Sequence, residues 1–267
     1  MLTVRSVFAR DGISLADVAC RYNRSRGEAE PAPVHMLVMV RRGCFVRTVN
    51  GVESVLDPTV AYCMNLGEEQ RYDHPRDGGD DCTAIGVEPG IAAALRGGEL
   101  DLPPTPVAVS PALDLAHRAL LAAARRGDHG HQLYEQALRL VVAVLGTADP
   151  VRMASGRPAS QRARRALVAA AREALADSAE RSLPELAREL AVSPHHLSRV
   201  FSSATGHTIS RHRMRLRTRA ALERLAGGET DLARLAADLG FADQSHLCRV
   251  VRSETGSGPS VLRRLLA

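Results

Sequence analysis

Two short polar runs, fifty positions apart, carry side chains suited to reading nucleic-acid bases. The first holds His195, Ser198 and Arg199; the second holds Gln244, Ser245, Cys248 and Arg249, with His246 among them. An arginine fork matches the two acceptors on the major-groove edge of guanine, a glutamine amide matches adenine, and a serine hydroxyl serves either. His246 suits a phosphate oxygen better than a base edge. A second group with potential chemistry is Cys44, Cys63 and Cys82, nineteen residues apart each time, with Cys20, His35 and His74 in the same part of the chain. Thiolates could hold a soft metal ion or act as a redox switch. However, no CxxC-type ligand pair is present, and free cysteine also packs as a small hydrophobe. Buried core residues, a metal or redox site, and contact with an organic effector all remain open for these thiols. Met36, Phe45, Tyr62, Met64 and Tyr72 could line an apolar pocket for such an effector.

The polar runs need helices to aim them, and the surrounding sequence supplies two copies of the same device. Leu183, Leu186, Ala187 and Leu190 recur at helical spacing, as do Leu232, Leu235, Ala236 and Leu239. Each short helix turns, through Ala191-Val192 or Gly240-Phe241, into an N-cap candidate, Ser193 or Asp243. Second helices are expected over 194–204 and 243–255, each closed by a Thr-Gly pair (Thr205-Gly206 and Thr255-Gly256) with the glycine as C-cap. Leu197, Val200 and Phe201 in one copy match Leu247, Val250 and Val251 in the other as buried faces. Residues 208–226 read as one long helix of roughly 28 Å. Successive major-groove faces on one side of a duplex lie ~34 Å apart, so a rod of this length could place two recognition helices on adjacent groove segments. Arg217 and Arg219 on this rod read as solvated charges, with phosphate contact as the alternative.

This pattern resembles the AraC/XylS family of bacterial transcription regulators. The match rests on Gly240-Phe241-Ala242-Asp243-Gln244-Ser245-His246-Leu247-Cys248-Arg249-Val250, on the following Thr255-Gly256-Ser257-Gly258-Pro259, and on Leu197-Ser198-Arg199-Val200-Phe201 with Thr205-Gly206 in the first copy. Leu247-Cys248 stands where the family more often has Phe-Ser, Val251 where Phe is usual, and Gly258 where Thr is usual; the apolar core is kept. The resemblance covers residues 160–267 closely. It implies that His195, Ser198, Arg199, Gln244, Ser245, Cys248 and Arg249 contact bases, that double-stranded DNA is the partner, and that activation through RNA polymerase is the usual output, with repression still open.

Upstream, 35–40, 44–49, 52–56, 60–65 and 82–87 read as antiparallel strands, with Asn50-Gly51 as a hairpin turn. Shorter strand-like pieces fall at 2–4 and 15–20, while 66–80 reads as a charged loop and 89–110 as a loop-rich connector. Regular short strands suggest a small barrel or jelly roll, and the resemblance implies a cupin-like sensor. Two amphipathic helices follow, over 111–126 and 131–145, where the family commonly forms homodimers; packing on their own barrel is the plainer reading.

The expected fold is thus α+β and multidomain. A cupin-like domain spans 1–100, a helical pair 101–146, a flexible linker 147–160, and a domain of two tandem helix-turn-helix motifs joined by a long helix 161–267. Charge follows this division. Residues 1–100 carry 11 Arg against 14 acids (−3), 101–160 carry 6 against 5 (+1), and 161–267 carry 18 against 11 (+7), so the cationic excess lies where a polyanion would bind. All 35 cationic residues are Arg. The first residues lack the apolar core of a secretory signal, and the longest apolar run, 140–145, is six residues. A soluble, cytoplasmic, nucleoid-associated protein is expected.

Enzyme chemistry finds little support. A cupin metalloenzyme needs a histidine-rich set, and 1–100 offers only His35 and His74. His129 and His131 flank a turn, and no nucleophile elbow, P-loop or dinucleotide fingerprint is visible. No cofactor is required by this reading, although a metal ion or small organic effector fits it. The rival is a cupin-type metal-binding or redox-sensing protein whose helices serve protein interaction.

Overall fold

The computed structural model describes residues 1–21, 25–74, 79–99, 101–128, 130–147 and 158–267. Most of the expected linker, 148–157, lies outside the described residues, as does His129.

The N-terminal part is two antiparallel sheets facing one another. The larger is built from β1 (Leu2–Arg10), β2 (Ile13–Cys20), β5 (Met36–Arg42), β8 (Val60–Met64), β10 (Asp80–Val87) and β11 (Val107–Ala108), in the order β1-β2-β10-β5-β8-β11. The smaller contains β3 (Ser25–Arg26), β9 (Glu69–His74), β6 (Phe45–Val49) and β7 (Val52–Leu56) in that order, with β4 (Glu30–Pro31) beside β9. This is the cupin-like jelly roll that the resemblance implies. Asn50 and Gly51 both have positive φ, 49° and 75°, as a tight hairpin between β6 and β7 demands.

Side chains alternate across the large sheet as the strand period requires. Val38, Val40, Tyr62, Met64, Cys82 and Ala84 face the smaller sheet. Leu37, Met39, Ala61, Cys63, Ile85 and Val87 face a second core on the other side. That second core is closed by α2 (Pro111–Arg125) and α3 (His131–Gly146), through Leu120, Leu121, Leu133, Leu140, Val141 and Val144. Helix α3 therefore spends its apolar face on its own barrel, and α2 does so in part, with Leu115 and Ala119 turned to the helical part.

The structure corrects four sequence expectations here. The stretch 66–80 contains strand β9, whose charged residues are held by strand pairing with Val46–Val49. The connector 89–110 contains the short helix α1 (Pro89–Leu95) and strand β11, which pairs with β8 and carries the sheet past residue 100. Strand β1 runs to Arg10, well beyond residue 4. Helix α4 (Pro158–Asp177) starts within the expected linker.

The C-terminal part is helical: α5 (Leu183–Glu189), α6 (Pro194–Thr205), α7 (Ile209–Ala226), α8 (Leu232–Asp238), α9 (Gln244–Thr255) and α10 (Pro259–Leu266). Helices α5 and α6 pack with α4 and the start of α7, while α8 and α9 pack with the rest of α7 and α10. Among the described residues, no helix is long and apolar enough to cross a membrane.

Candidate nucleic-acid interface

Each helix-turn-helix unit is fixed by the same local hydrogen bonds, in a sequence-determined order. Helix α5 ends in a Schellman motif, with Val192 N–H donating to Ala187 O at 3.0 Å and Ala191 N–H to Arg188 O at 3.2 Å. Helix α8 ends identically, with Phe241 N–H to Ala236 O at 2.9 Å and Gly240 N–H to Ala237 O at 3.2 Å. This motif needs a left-handed residue at the turn: Ala191 has φ 53° and Gly240 has φ 68°. The recognition helices then start on the expected caps. His196 N–H donates to Ser193 Oγ at 3.2 Å, and His246 N–H to Asp243 Oδ1 at 2.6 Å. They end alike, on Gly206 and Gly256 in the left-handed region. Thr205 Oγ1 donates to Phe201 O and Thr255 Oγ1 to Val251 O, at 2.8 and 2.7 Å.

With both ends fixed, the apolar face of each recognition helix is committed to the core. Leu197 and Phe201, and likewise Leu247 and Val251, are wholly buried. The opposite face is turned to solvent. His195, Arg199, Gln244, Ser245 and Arg249 are exposed, and Ser198 and Cys248 are half-buried at the same helical position in their respective copies. The residues singled out in the sequence thus lie on the outward faces of α6 and α9. His246 differs from the others. Its Nδ1 accepts from Ala242 N–H at 3.3 Å and its ring stands edge-on to Phe241 at 5.5 Å, which ties it to the turn.

Arg217 and Arg219 depart from the sequence reading. Arg217 donates to Gly240 O at 2.6 Å, bracing the second turn. Arg219 is 2% exposed and donates to Val109 O at 2.7 Å, so it lies in the seam between the helical and N-terminal parts. That seam is rich in buried charge. Asp57, fully buried after β7, takes Arg172 Nε of α4 at 2.7 Å, and His212 Nε2 of α7 lies 3.5 Å away. Burial would raise the Asp57 carboxyl, but the Arg172 charge and His212 outweigh it and hold it well below the ordinary range. Asp114 and Arg118 of α2 pair at 3.1 Å, and Arg118 also reaches Glu223 of α7 and Arg41 O of β5. Helical periodicity shows Arg219 and Arg172 only as charges on a helix. Nothing in it signals which charges meet a buried carboxylate from a distant part of the chain.

The thiol set does not assemble as its even spacing suggested. Cys63 belongs to the core beneath α2 and α3, Cys82 to the core between the sheets, and Cys44 sits half-buried in the turn between β5 and β6. Cys63 and Cys82 project from opposite faces of one sheet, so they cannot share an ion. The five apolar candidates do converge. Phe45, Tyr62 and Met64 are core residues between the sheets, and Met36 and Tyr72 pack against them. The Phe45 ring stands edge-on to Tyr62 at 6.1 Å and to Tyr72 at 5.9 Å. The sequence reading missed two polar residues in this core. Arg47 lies 5.1 Å from the Tyr62 ring centroid, and Gln70 Oε1 accepts from both Arg47 Nε and the Tyr72 hydroxyl.

Residues 186–265 match the family model of a helix-turn-helix domain. No curated protein sequence matches the chain. Across most of its length the chain is similar to crystal structures of ToxT from Vibrio cholerae. An apo ToxT variant is 10% identical, with 97% of this chain and 100% of that chain covered and a TM-score of 0.41. A second ToxT structure is 11% identical, with 96% and 100% covered and a TM-score of 0.37. The cupin domain of Cnp3 from Schizosaccharomyces pombe is 13% identical over 37% of this chain and 72% of that one, with a TM-score of 0.31. Residues 186–265 are a helix-turn-helix domain.

Proposed function

We propose that the protein is a one-component regulator acting on double-stranded DNA without catalytic chemistry. Helices α6 and α9 enter adjacent major-groove segments of one site. His195, Ser198 and Arg199, then Gln244, Ser245, Cys248 and Arg249, meet base edges, and His246 holds the second turn near a phosphate. The observation that carries this reading is the duplicated geometry, in which two recognition helices have matching caps and turns and expose Arg199 and Arg249 at equivalent positions. The 18 residues of α7 between them span about 27 Å, close to one turn of a duplex.

The two-sheet domain is the input. An apolar effector would be received by Met36, Phe45, Tyr62, Met64 and Tyr72, with Arg47 and Gln70 as the polar groups that orient it. Output is activation through RNA polymerase in the cytoplasm, on the nucleoid, and the chain works as a homodimer. Because α2 and α3 pack on their own sheet, the homodimer contact falls on outward positions such as Val142, which is half exposed. Selection of DNA from a random pool with the purified full chain tests the core of this reading. Two short sequence elements about one helical turn apart are expected. Binding that ignores sequence, or a single element unaffected by changes in α6, would overturn it.

A further inference from the structure

One group of polar side chains takes no part in DNA reading or in the seam. It sits at one end of the space between the two sheets. Cys20 closes β2, and Asp80 opens β10 directly opposite it in the strand pairing. His74 ends β9 on the facing sheet. All three are buried. Cys20 Sγ is 3.4 Å from His74 Nε2, which is 2.7 Å from Asp80 Oδ1. The three ligand-type atoms lie within 4.8 Å of one another, and among the described residues no other group of three or more Cys, His, Asp or Glu side chains does so.

We propose that Cys20, His74 and Asp80 form a binding site for a zinc-class divalent cation. A thiolate, an imidazole nitrogen and a carboxylate oxygen are the three zinc donor types, at about 2.0–2.3 Å from the metal. A tetrahedron with such bonds places its ligand atoms about 3.3–3.8 Å apart, close to what is observed, with His74 and Asp80 needing to part slightly. Charge also balances, since one thiolate and one carboxylate neutralise a dication in a site where net charge would be costly. On binding, the Cys20 thiol gives its proton to water, the imidazole proton moves from Nε2 to Nδ1, and the cation takes the place of the proton now shared between Nε2 and Asp80. Water fills the fourth position.

Cys82 is the positioning residue. Its thiol donates to Asp80 Oδ2 at 3.2 Å, leaving Oδ1 turned to His74. The ion would clip the two sheets together, because its ligands come from both.

The test is cobalt titration of the chelator-stripped full-length protein, which needs no DNA and stands independently of the DNA reading. One Co2+ per chain is expected, with a thiolate-to-cobalt charge-transfer band that Zn2+ displaces. Cys20→Ser and His74→Gln should lose the band. Cys44→Ser and Cys63→Ser should keep it. A folded wild-type chain without the band overturns the proposal. So does a band that survives Cys20→Ser, or one lost in Cys44→Ser or Cys63→Ser. If circular dichroism shows Cys20→Ser unfolded, the wild-type stoichiometry and the Cys44 and Cys63 variants still decide.

Discussion

In the first helix-turn-helix unit, Leu197 and Phe201 pack into a core drawn entirely from the helical part, with Ala171, Ala174 and Leu175 of α4 as its floor. In the second, Leu247 and Val251 pack into a core that Leu115 and Ala119 of α2 extend, so its floor is shared with the N-terminal part. The first unit is tied to the barrel by buried charge, through Arg172 and His212 on Asp57, while the second has both this apolar floor and the pairing of Arg118 with Glu223. Apolar contact is non-directional and survives small slips, whereas a buried ion pair demands its geometry and is costly to break. A change in the barrel near Asp57 would therefore reach the first recognition helix abruptly, whereas loosening the apolar packing of α2 would reach the second by degrees as long as the Arg118–Glu223 pair holds.

Removing Asp57 separates the two attachments most sharply. Asp57→Ala leaves Arg172 buried without its partner and also takes away the acceptor for Thr59 N–H at 2.7 Å. The expected cost is about 3–5 kcal/mol. Hydrogen exchange should quicken in α4 and the start of α7, while α8 and α9 stay protected. Leu115→Ala should do the reverse, at about 2 kcal/mol. Equal loosening of both units by either change would remove the distinction. The Asp57 tie is not a switch near neutrality. Its folded-state pKa is depressed, so its contribution is fully present above the unfolded value of about 4 and fades only as pH falls through the lower folded value. The stability difference between wild type and Asp57→Ala should be flat between about pH 5 and 8.

Next in size comes the reading of DNA itself. Arg199→Ala and Arg249→Ala should each weaken specific binding by ~1–3 kcal/mol, about 5- to 150-fold, with relaxed preference at one base position. Each variant should lose protection in its own half of the footprint. If one unit alone reads sequence, one substitution will cost only what a lost phosphate contact costs, nearly uniformly across sequences.

The helical domain was legible because its signals are local. Ser193, Asp243, Gly206 and Gly256 act on backbone groups within a few residues of themselves, and the period of Leu183, Leu186, Ala187 and Leu190 is set by one helix. Duplication then gave an internal check. The sensor part was less legible because its sites depend on pairing between distant strands. The alternation around Tyr62 and Cys63 places them on opposite faces, but that Cys82 faces away from Cys63 shows only in the pairing of β5 with β8 and β10. Cys20 and Asp80 become neighbours only through the pairing of β2 with β10, and His74 joins them from a strand whose charged residues read as a loop. The buried Arg219 was hidden for the same reason, since its carboxylate partner, Asp114, is more than a hundred residues away in sequence.

The smallest expected effect concerns the two turns, which have the same hydrogen bonds and different residues. Both require left-handed backbone, which costs a residue with a Cβ roughly 1–2 kcal/mol. Glycine at 240 avoids that cost, and a Cβ there would also meet Glu180 Oε1 at 2.8 Å and the Arg217 guanidinium at 3.1 Å. Gly240→Ala should destabilise the domain by about 1–2 kcal/mol and disturb the hydrogen bond from Arg217 to Gly240 O. The first unit already carries this strain at Ala191, with φ 53°. Ala191→Gly relieves it but gives the unfolded chain about 0.5–1 kcal/mol of added freedom, so its net effect in thermal unfolding should be within about half a kcal/mol of zero. A large gain from Ala191→Gly, matching the loss from Gly240→Ala, would mean that strain alone separates the two turns. A near-zero effect beside a clear loss at 240 would assign the difference to the close approach of Glu180 and Arg217, which brace the second turn.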